Sequence, residues 1–280
     1  MSRIILSLLL VFAVSSCKND KKEISEVSET ESAVIEVVEN EESQESQESE
    51  ETYEVSTVKE FEVHPISHAT MVLQWDGRTI YVDPVGGGSA FEGHPEPDLI
   101  VVTDIHGDHL NVETLQAVSV TKTKIMVPQA VADKLPSDFD PQVDVLNNGD
   151  SKERSGFTVE AIPMYNLREE ALQFHTKGRG NGYVIEKDGM RVYISGDTED
   201  IPEMRALKDI DVAFVCMNLP YTMTELQAAK AVVAFKPKVV YPYHYRGKDM
   251  ISDVGKFNGW IMKSGVGPQI DVIQLDWYPN

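Results

Sequence analysis

Four side chains that commonly ligate metals lie within six residues of one another: Asp104, His106, Asp108 and His109. They follow an apolar run that is typical of a buried strand. In an extended backbone Asp104 and His106 point in the same direction, and Gly107 permits a sharp turn after which Asp108 and His109 can face a neighbouring point. Imidazoles and carboxylates are good ligands for zinc and similar cations. The spacing therefore predicts a metal site at a strand end, in preference to a polar turn with solvated side chains.

The chain from Phe61 to Asn280 alternates strand and helix signals and is long enough for one sizeable domain. Asp-Gly pairs between β-rich runs indicate two hairpins. The predicted strands are Ala69–Trp75, Arg78–Asp83, Leu99–Val102, Lys124–Val127, Phe157–Ile162, Asn181–Glu186, Met190–Ser195, Val239–Tyr243 and Ile270–Leu275. The predicted helices are Val112–Val118 and Thr222–Phe235, the second with Thr222 and Glu225 spaced as a capping box. Two β-rich halves with helices outside them favour stacked sheets flanked by helices.

Two later segments place further metal-ligating side chains directly after predicted strands. Asp197 follows the second hairpin and has Gly196 beside it, and His244 follows the strand Val239–Tyr243. Alone, each is more often part of an ordinary turn or a packed histidine. Together with the first cluster, they favour one metal centre built from several strand ends.

This ordered set resembles the signature of the metallo-β-lactamase superfamily, which reads H-x-H-x-D-H, then a histidine, a G-D motif and a final histidine. The segments Ile66–Ala69, Asp83-Pro84 and Gly196–Thr198 look most like the branch that contains ascorbate-6-phosphate lactonase and related metal-dependent hydrolases. The resemblance covers essentially all of Phe61–Asn280. It implies an α/β fold, a four-layer αββα sandwich. Its motifs are specific for fold and metal but poor for substrate.

The resemblance implies two divalent metal ions, zinc first, with manganese or iron as alternatives. The implied ligands are Asp104, His106 and a third residue for one ion, Asp108, His109 and His244 for the other, and Asp197 between them. A bridging hydroxide would then cleave a small ester, lactone or phosphodiester, with Asp108 and Asp197 as the catalytic carboxylates. The alternative is a catalytically degenerate lipoprotein that binds a metal or ligand on the same fold.

Two positions depart from the signature. Asp104 takes the place of the first histidine, which keeps a ligand but adds negative charge and favours harder metals such as manganese or iron beside zinc. For the third ligand, Asn166 matches by its position after a strand, whereas His175 is the nearest histidine. His175 is preferred as the ligand, with Asn166 lining the site, and the choice depends on the loop between them.

Four residues are candidates for substrate binding: His68, Asn166, Tyr245 and Arg246. For His68, which precedes the first hairpin, a structural hydrogen-bonding role is the alternative. The side chains after His244 would stabilise an oxyanion or phosphate, and surface packing is the alternative. The basic, glycine-rich loop Lys177–Asn181 would bind an anionic substrate group or serve only as a flexible connector.

The first residues of the chain indicate export. Arg3 precedes the apolar run Ile4–Val14, which has the length of the apolar region of a signal peptide. Val14-Ser15-Ser16-Cys17 resembles the bacterial lipobox, so residues 1–17 are predicted to be a lipoprotein signal peptide with a lipidated Cys17. An ordinary signal or an uncleaved anchor is the alternative. The predicted location is the bacterial cell envelope, periplasmic or exposed at the surface, with Cys17 holding the protein to a membrane. The other cysteine, Cys216, lies in an apolar run and is predicted to be a small buried hydrophobe.

Residues 18–60 are rich in glutamate, serine and glutamine and carry about half of the net charge of −21. Such a segment has too little apolar content to fold alone and is predicted to be a disordered acidic tether. Residues 61–280 form the predicted hydrolase domain. The acidic balance argues against a nucleic-acid partner, because an enzyme of nucleic acids needs basic surface to meet phosphates. A small molecule is the expected substrate.

Overall fold

The computed structural model describes residues 61–278. Within them two mixed sheets are formed, and the strands of each lie side by side in chain order. The first sheet contains β1 (Phe61–Ser67), β2 (Thr70–Trp75), β3 (Arg78–Val82), β4 (Leu99–Val101), β5 (Lys124–Val127) and β6 (Val143–Val145). The second contains β7 (Ser151–Arg154), β8 (Phe157–Met164), β9 (Gly180–Lys187), β10 (Met190–Ile194), β11 (Val212–Cys216), β12 (Val239–Tyr243) and β13 (Asp271–Val272). The helices are α1 (Val112–Val118), α2 (Gln129–Ala132), α3 (Pro202–Arg205), α4 (Glu225–Phe235) and α5 (Val254–Met262).

The strands of both sheets bury side chains on both faces. On β2, Met71 and Leu73 belong to the large core cluster that also includes residues of the second sheet. Val72 points the other way and packs in a smaller cluster with Leu115 of α1. Because side chains alternate along a strand, one run of apolar residues supplies both the interface between the sheets and the interface with a helix. The chain thus forms the predicted four-layer αββα sandwich.

Both predicted hairpins are confirmed. The turn between β2 and β3 is Asp76-Gly77, and the turn between β9 and β10 is Asp188-Gly189. All four turn residues have positive φ, from 49° to 77°. Positive φ at both positions gives a two-residue turn the same twist as the strands it joins.

The predicted capping box of α4 is wrong by two residues. The helix begins at Glu225, and Thr224 is its N-cap. The Thr224 hydroxyl accepts from the Gln227 backbone N–H, and the Gln227 side chain accepts from the Thr224 N–H. Thr222 is buried, and its hydroxyl is bonded to Asn218 instead. Because the Thr222 hydroxyl is bonded to Asn218, it does not cap the helix, and the helix begins later than predicted.

The edge strands β6 and β7 of the two sheets are joined by Asp144. Its carboxylate accepts from Lys152 and, at 2.9 Å, from Arg154. Burial raises the pKa of Asp144, but the hydrogen bonds from Lys152 and Arg154 outweigh that effect and lower the pKa below its ordinary value. Because the folded-state pKa is lowered, this contribution to stability is present above the unfolded pKa of about 3.9 and is lost as pH falls through the folded pKa.

We expect Asp144→Asn to lower the free energy of unfolding at pH 7 by about 1 kcal/mol or less, since the ion pair is partly solvated. Urea unfolding from pH 7 downward should show this difference shrinking toward zero at the acidic end. Asp138→Asn, at an exposed position in the 3-10 helix Ser137–Phe139, is the control. A difference that stays constant down to acidic pH would contradict the assignment.

No helix between residues 61 and 278 is long and apolar enough to cross a membrane. The predicted signal peptide, Cys17 and the acidic tether all lie outside the described residues.

Candidate metal centre

Most of the predicted ligands lie in loops that follow parallel strands of the two sheets. In the first sheet β3, β4 and β5 are parallel, and in the second β10, β11 and β12 are parallel. Parallel strands bring their carboxyl ends to one edge of a sheet, where functional loops gather. The ligand motif follows β4, Asp197 follows β10 and His244 follows β12. The tertiary structure therefore brings these three distant parts of the sequence close together, and the loop after β8 adds a fourth.

The first ligand group consists of Asp104, His106 and His175. His106 Nδ1 lies 2.9 Å from Asp104 Oδ2, and His175 Nε2 lies 4.0 Å from the same oxygen. His175 is buried, at 1% exposure, so the loop after β8 does carry it to the cluster. Asn166 is buried nearby, but its amide donates to the carbonyl oxygens of Ala171 and Tyr221. Of the two alternatives for the third ligand, the structure places His175 in the group.

The second group consists of Asp108, His109 and His244. His244 Nε2 lies 3.3 Å from Asp108 Oδ2, and His109 Nε2 lies 3.8 Å from Asp108 Oδ1. Both histidines are buried, whereas the Asp108 side chain is 43% exposed. Burial raises the pKa of Asp108, but the hydrogen bond with His244 and the charge of His109 lower it well below its usual range. Asp108 is thus a carboxylate that faces both the group and solvent.

Asp197 lies between the two groups. Its Oδ2 is 3.1 Å from His175 Nε2 and 3.4 Å from His109 Nε2, and its Oδ1 is 3.3 Å from His244 Nε2. Burial raises the pKa of Asp197, but the surrounding histidine charges outweigh it and lower the pKa far below the ordinary value. One carboxylate therefore contacts histidines of both groups, as a bridging ligand must.

The donor atoms of the cluster fit a divalent cation. His109 Nε2 and Asp197 Oδ1 are both buried, and within residues 61–278 neither makes a hydrogen bond of good geometry, although the nearest ion-pair partner of each lies 3.3–3.4 Å away. Burying such atoms without a partner costs on the order of 1–3 kcal/mol each. A bound cation would satisfy both, and the mixture of imidazole nitrogen and carboxylate oxygen suits zinc, manganese and iron.

Asp83 orients His109. Its Oδ2 is 2.8 Å from His109 Nδ1 and 2.7 Å from the Thr103 hydroxyl, and its Oδ1 accepts from the Thr103 backbone N–H at 2.7 Å. Asp83 is fully buried, and it has a positive φ of 45° at the end of β3. Because a carboxylate holds Nδ1, the Nε2 atom of His109 stays turned toward Asp197.

We expect Asp83→Asn to weaken metal binding about 10–100-fold, because the amide cannot hold the His109 ring as a carboxylate does. Competition with a chelator of known affinity measures the change. Asp98→Asn is the matched control: Asp98 also accepts from a backbone N–H, that of Thr79, but lies outside the cluster. Equal metal affinities in both variants would rule out the orienting role of Asp83.

A cavity of about 280 Å³ opens beside the cluster. Its lining residues are His106, Asp108, Phe174, His175, Asp197, Asn218 and Tyr221. The Phe174 and Tyr221 rings pack edge to face, with centroids 5.1 Å apart. Asn218 Nδ2 lies 3.3 Å from His244 Nε2, and Asn218 Oδ1 accepts from the Thr222 hydroxyl. The cavity is therefore small, aromatic on one side and polar on the other.

The predicted substrate-binding residues do not line this cavity in the described part of the chain. The His68 ring packs against the rings of His244 and Tyr278, with centroids 5.6 and 5.2 Å away. Tyr245 is buried against Tyr278, and the Arg246 guanidinium lies over the same ring at 4.1 Å. The part that these residues and Asn166 take in substrate binding stays a prediction.

Sequence reasoning missed Phe174, Asn218 and Tyr221. Asn218 follows β11, so its position after a parallel strand was the signal that pointed to it. The two aromatic residues lie in loops whose course is not encoded in any local pattern. Cys216 is fully buried on β11, as predicted, and burial raises the pKa of its thiol to about 12.

Comparison with known proteins identifies the family. Residues 62–244 match the family described as a Beta-lactamase superfamily domain. A UPF0173 metal-dependent hydrolase of Thermococcus onnurineus is 30% identical over 192 residues, which cover 66% of this chain and 84% of the relative.

Solved structures agree with this assignment. A proposed metal-dependent hydrolase from Parabacteroides distasonis is 40% identical and has a TM-score of 0.69, with coverage of 79% of this chain and 94% of that chain. Igni18, a metallo hydrolase from Ignicoccus hospitalis, is 23% identical and has a TM-score of 0.65. The match covers 78% of this chain and 96% of that chain, and it supports the fold. This chain therefore belongs to the metallo-β-lactamase superfamily, among its metal-dependent hydrolases.

Proposed function

We propose that this protein is a binuclear hydrolase that cleaves a small ester, lactone or phosphodiester. The observation that carries the proposal is the position of Asp197, whose two carboxylate oxygens face histidines of both ligand groups. A shared carboxylate suits two ions about 3.5–4 Å apart. The adjoining cavity of about 280 Å³ favours a small substrate.

Two divalent ions held by these residues would polarise a scissile carbonyl or phosphoryl group and supply a nucleophile at neutral pH. The protein's own part is to hold the ligands in place. Asp83 fixes the His109 ring through Nδ1, and Asp197 holds the two groups together. Asp108 lies on the cavity wall, where its carboxylate would orient the reactants. Full activity of an Asp108→Asn variant with intact metal content would exclude that role.

The cavity residues bind and shield the substrate. The Thr222 hydroxyl holds Asn218 Oδ1, so the Asn218 amide N–H faces the cluster and can donate to a substrate oxygen. Phe174 and Tyr221 form the aromatic wall, which keeps water from that side of the substrate. Zinc is the first choice of ion, and the carboxylate in the first group makes manganese and iron the alternatives.

Elemental mass spectrometry of the purified full-length protein tests the proposal. After reconstitution with zinc, manganese or iron, we expect close to two ions per chain and turnover of a p-nitrophenyl ester, a lactone or bis(p-nitrophenyl) phosphate. Two bound ions with metal-dependent ligand binding but no turnover would favour a degenerate binding protein. One ion or none with every metal would overturn the binuclear centre.

We also propose that the protein is exported and anchored in the bacterial cell envelope through a lipid on Cys17. The apolar run Ile4–Val14 and the lipobox support this, and residues 18–60 would tether the enzyme to the membrane. Cells fed an alkyne-labelled fatty acid should yield a labelled protein in the membrane fraction. Cys17→Ser should lose the label, whereas Cys216→Ala should keep it. An unlabelled wild-type protein would exclude the anchor.

A further inference from the structure

Asp104 stands where the family signature has a histidine, and Arg179 holds it. The Arg179 Nε donates to Asp104 Oδ1 at 3.0 Å, and its Nη2 donates to Asp104 Oδ2 at 2.6 Å. The same Nη2 donates to the Phe174 carbonyl oxygen at 2.5 Å. The Asp104 side chain is fully buried, and that of Arg179 is 17% exposed. The two residues thus form a forked, buried ion pair, which is a strong and directional contact.

The loop around Arg179 is packed against the end of the strand that carries Asp104. The Asn181 backbone N–H donates to the Thr103 carbonyl oxygen at 2.9 Å. A Cβ at Gly180 would lie 2.8 Å from the same oxygen, so only glycine permits this approach. The segment is therefore not a flexible connector at Arg179, and its guanidinium faces Asp104.

We infer that Asp104 and Arg179 act as one unit that takes the place of the missing histidine, with Arg179 as the positioning residue. A neutral imidazole brings no charge, whereas a carboxylate alone would add one negative charge beside Asp108 and Asp197. Arg179 cancels that charge, so the pair is neutral like the imidazole it replaces. The fork also fixes the carboxylate plane, which keeps Oδ2 at 2.9 Å from His106 Nδ1.

This inference rests on the proposed binuclear centre and predicts that the two positions are coupled. Asp104→His restores the signature histidine but leaves the Arg179 guanidinium buried without its anion. Adding Arg179→Met removes that unpaired charge. The single variant should therefore bind the metal of the first group poorly, and the double variant should bind it well.

The test measures metal content and metal affinity of the full-length protein, with zinc and manganese as the probes. Asp104→His should lose one of two ions, or bind it about 10-fold or more weakly. Asp104→His with Arg179→Met should again hold two ions, with an affinity within about threefold of the wild type. Arg191→Met is the control, because it removes an arginine from the ion pair with Glu186 on the second sheet.

Thermal unfolding of the metal-free proteins distinguishes two roles of the Asp104–Arg179 pair. The pair either positions a metal ligand or only stabilises the fold. Coupling that appears only in the melting temperature, with equal metal affinities, would overturn the inference. An Asp104→His variant that binds two ions as tightly as the wild type would also overturn the inference. The same holds for a double variant that binds metal no more tightly than Asp104→His alone. If Asp104→His does not fold, recovery of folding and of two ions in the double variant supports the inference. A wild-type protein that never holds two ions overturns the proposed function and this inference together.

Discussion

Asp197→Ala is expected to remove both metal ions and to lower kcat/KM by about 10³-fold or more. Its carboxylate lies 3.1–3.4 Å from His175, His109 and His244. Ions at such a site supply several kcal/mol of transition-state stabilisation, and each 1.36 kcal/mol is about a tenfold change in rate. Elemental mass spectrometry and steady-state kinetics on the same preparation measure both effects.

Asp200→Asn is the matched control for this variant. Asp200 lies three residues further along the chain and forms an ion pair with Arg205 rather than with the cluster. We expect this control to keep both ions and its activity. Retention of two ions by Asp197→Ala would show that Asp197 does not hold the groups together.

Gly247→Ala is expected to lower the free energy of unfolding by about 3 kcal/mol, near the upper end of the range for an overpacked site. A Cβ at this position would lie 1.7 Å from the carbonyl oxygen of Leu219, which is far inside contact distance. The Gly247 backbone N–H donates to the Met250 carbonyl oxygen at 2.8 Å, so the local turn resists the shift that would relieve the clash. Because His244 lies three residues before Gly247, we also expect weaker metal binding in the second group.

Gly259→Ala, in the interior of α5, is the control for adding a methyl group to glycine. A Cβ there meets no atom within 4 Å. Alanine is the better helix former, so this variant should gain about 0.5–1 kcal/mol. Urea unfolding of the two variants should therefore move in opposite directions. Equal stability of both would contradict the predicted clash at Gly247.

Local patterns predicted the elements whose signal is contained in a few adjacent residues. The hairpins around Asp76-Gly77 and Asp188-Gly189 have turn residues that tolerate positive φ, and the apolar run of β12 has strand length. The sequence did not reveal β7, which is Ser151–Arg154 and entirely polar, because it lies at a sheet edge where burial does not select apolar residues. It also overestimated the last strand, which is paired only at Asp271 and Val272.

The same division applies to the metal centre. The spacing from Asp104 to His109 predicted a candidate ligand set, because each residue type is suited to metals and a glycine allows the loop to turn. Nothing in that spacing decided between Asn166 and His175. The loop after β8 brings His175 into the candidate group, because it buries His175 against Asp197 and turns the Asn166 amide to backbone carbonyl groups.

The sequence by itself determined the class of fold, the family and most of the candidate ligands. These depend on the order of strand ends and on the chemistry of the residues that follow them. Only the tertiary structure placed Arg179 against Asp104, Asp83 against His109 and Asn218 beside His244. These pairs are 75, 26 and 26 residues apart in the chain. No local periodicity records such contacts, because they arise from the packing of two sheets and from loops whose course the whole core determines.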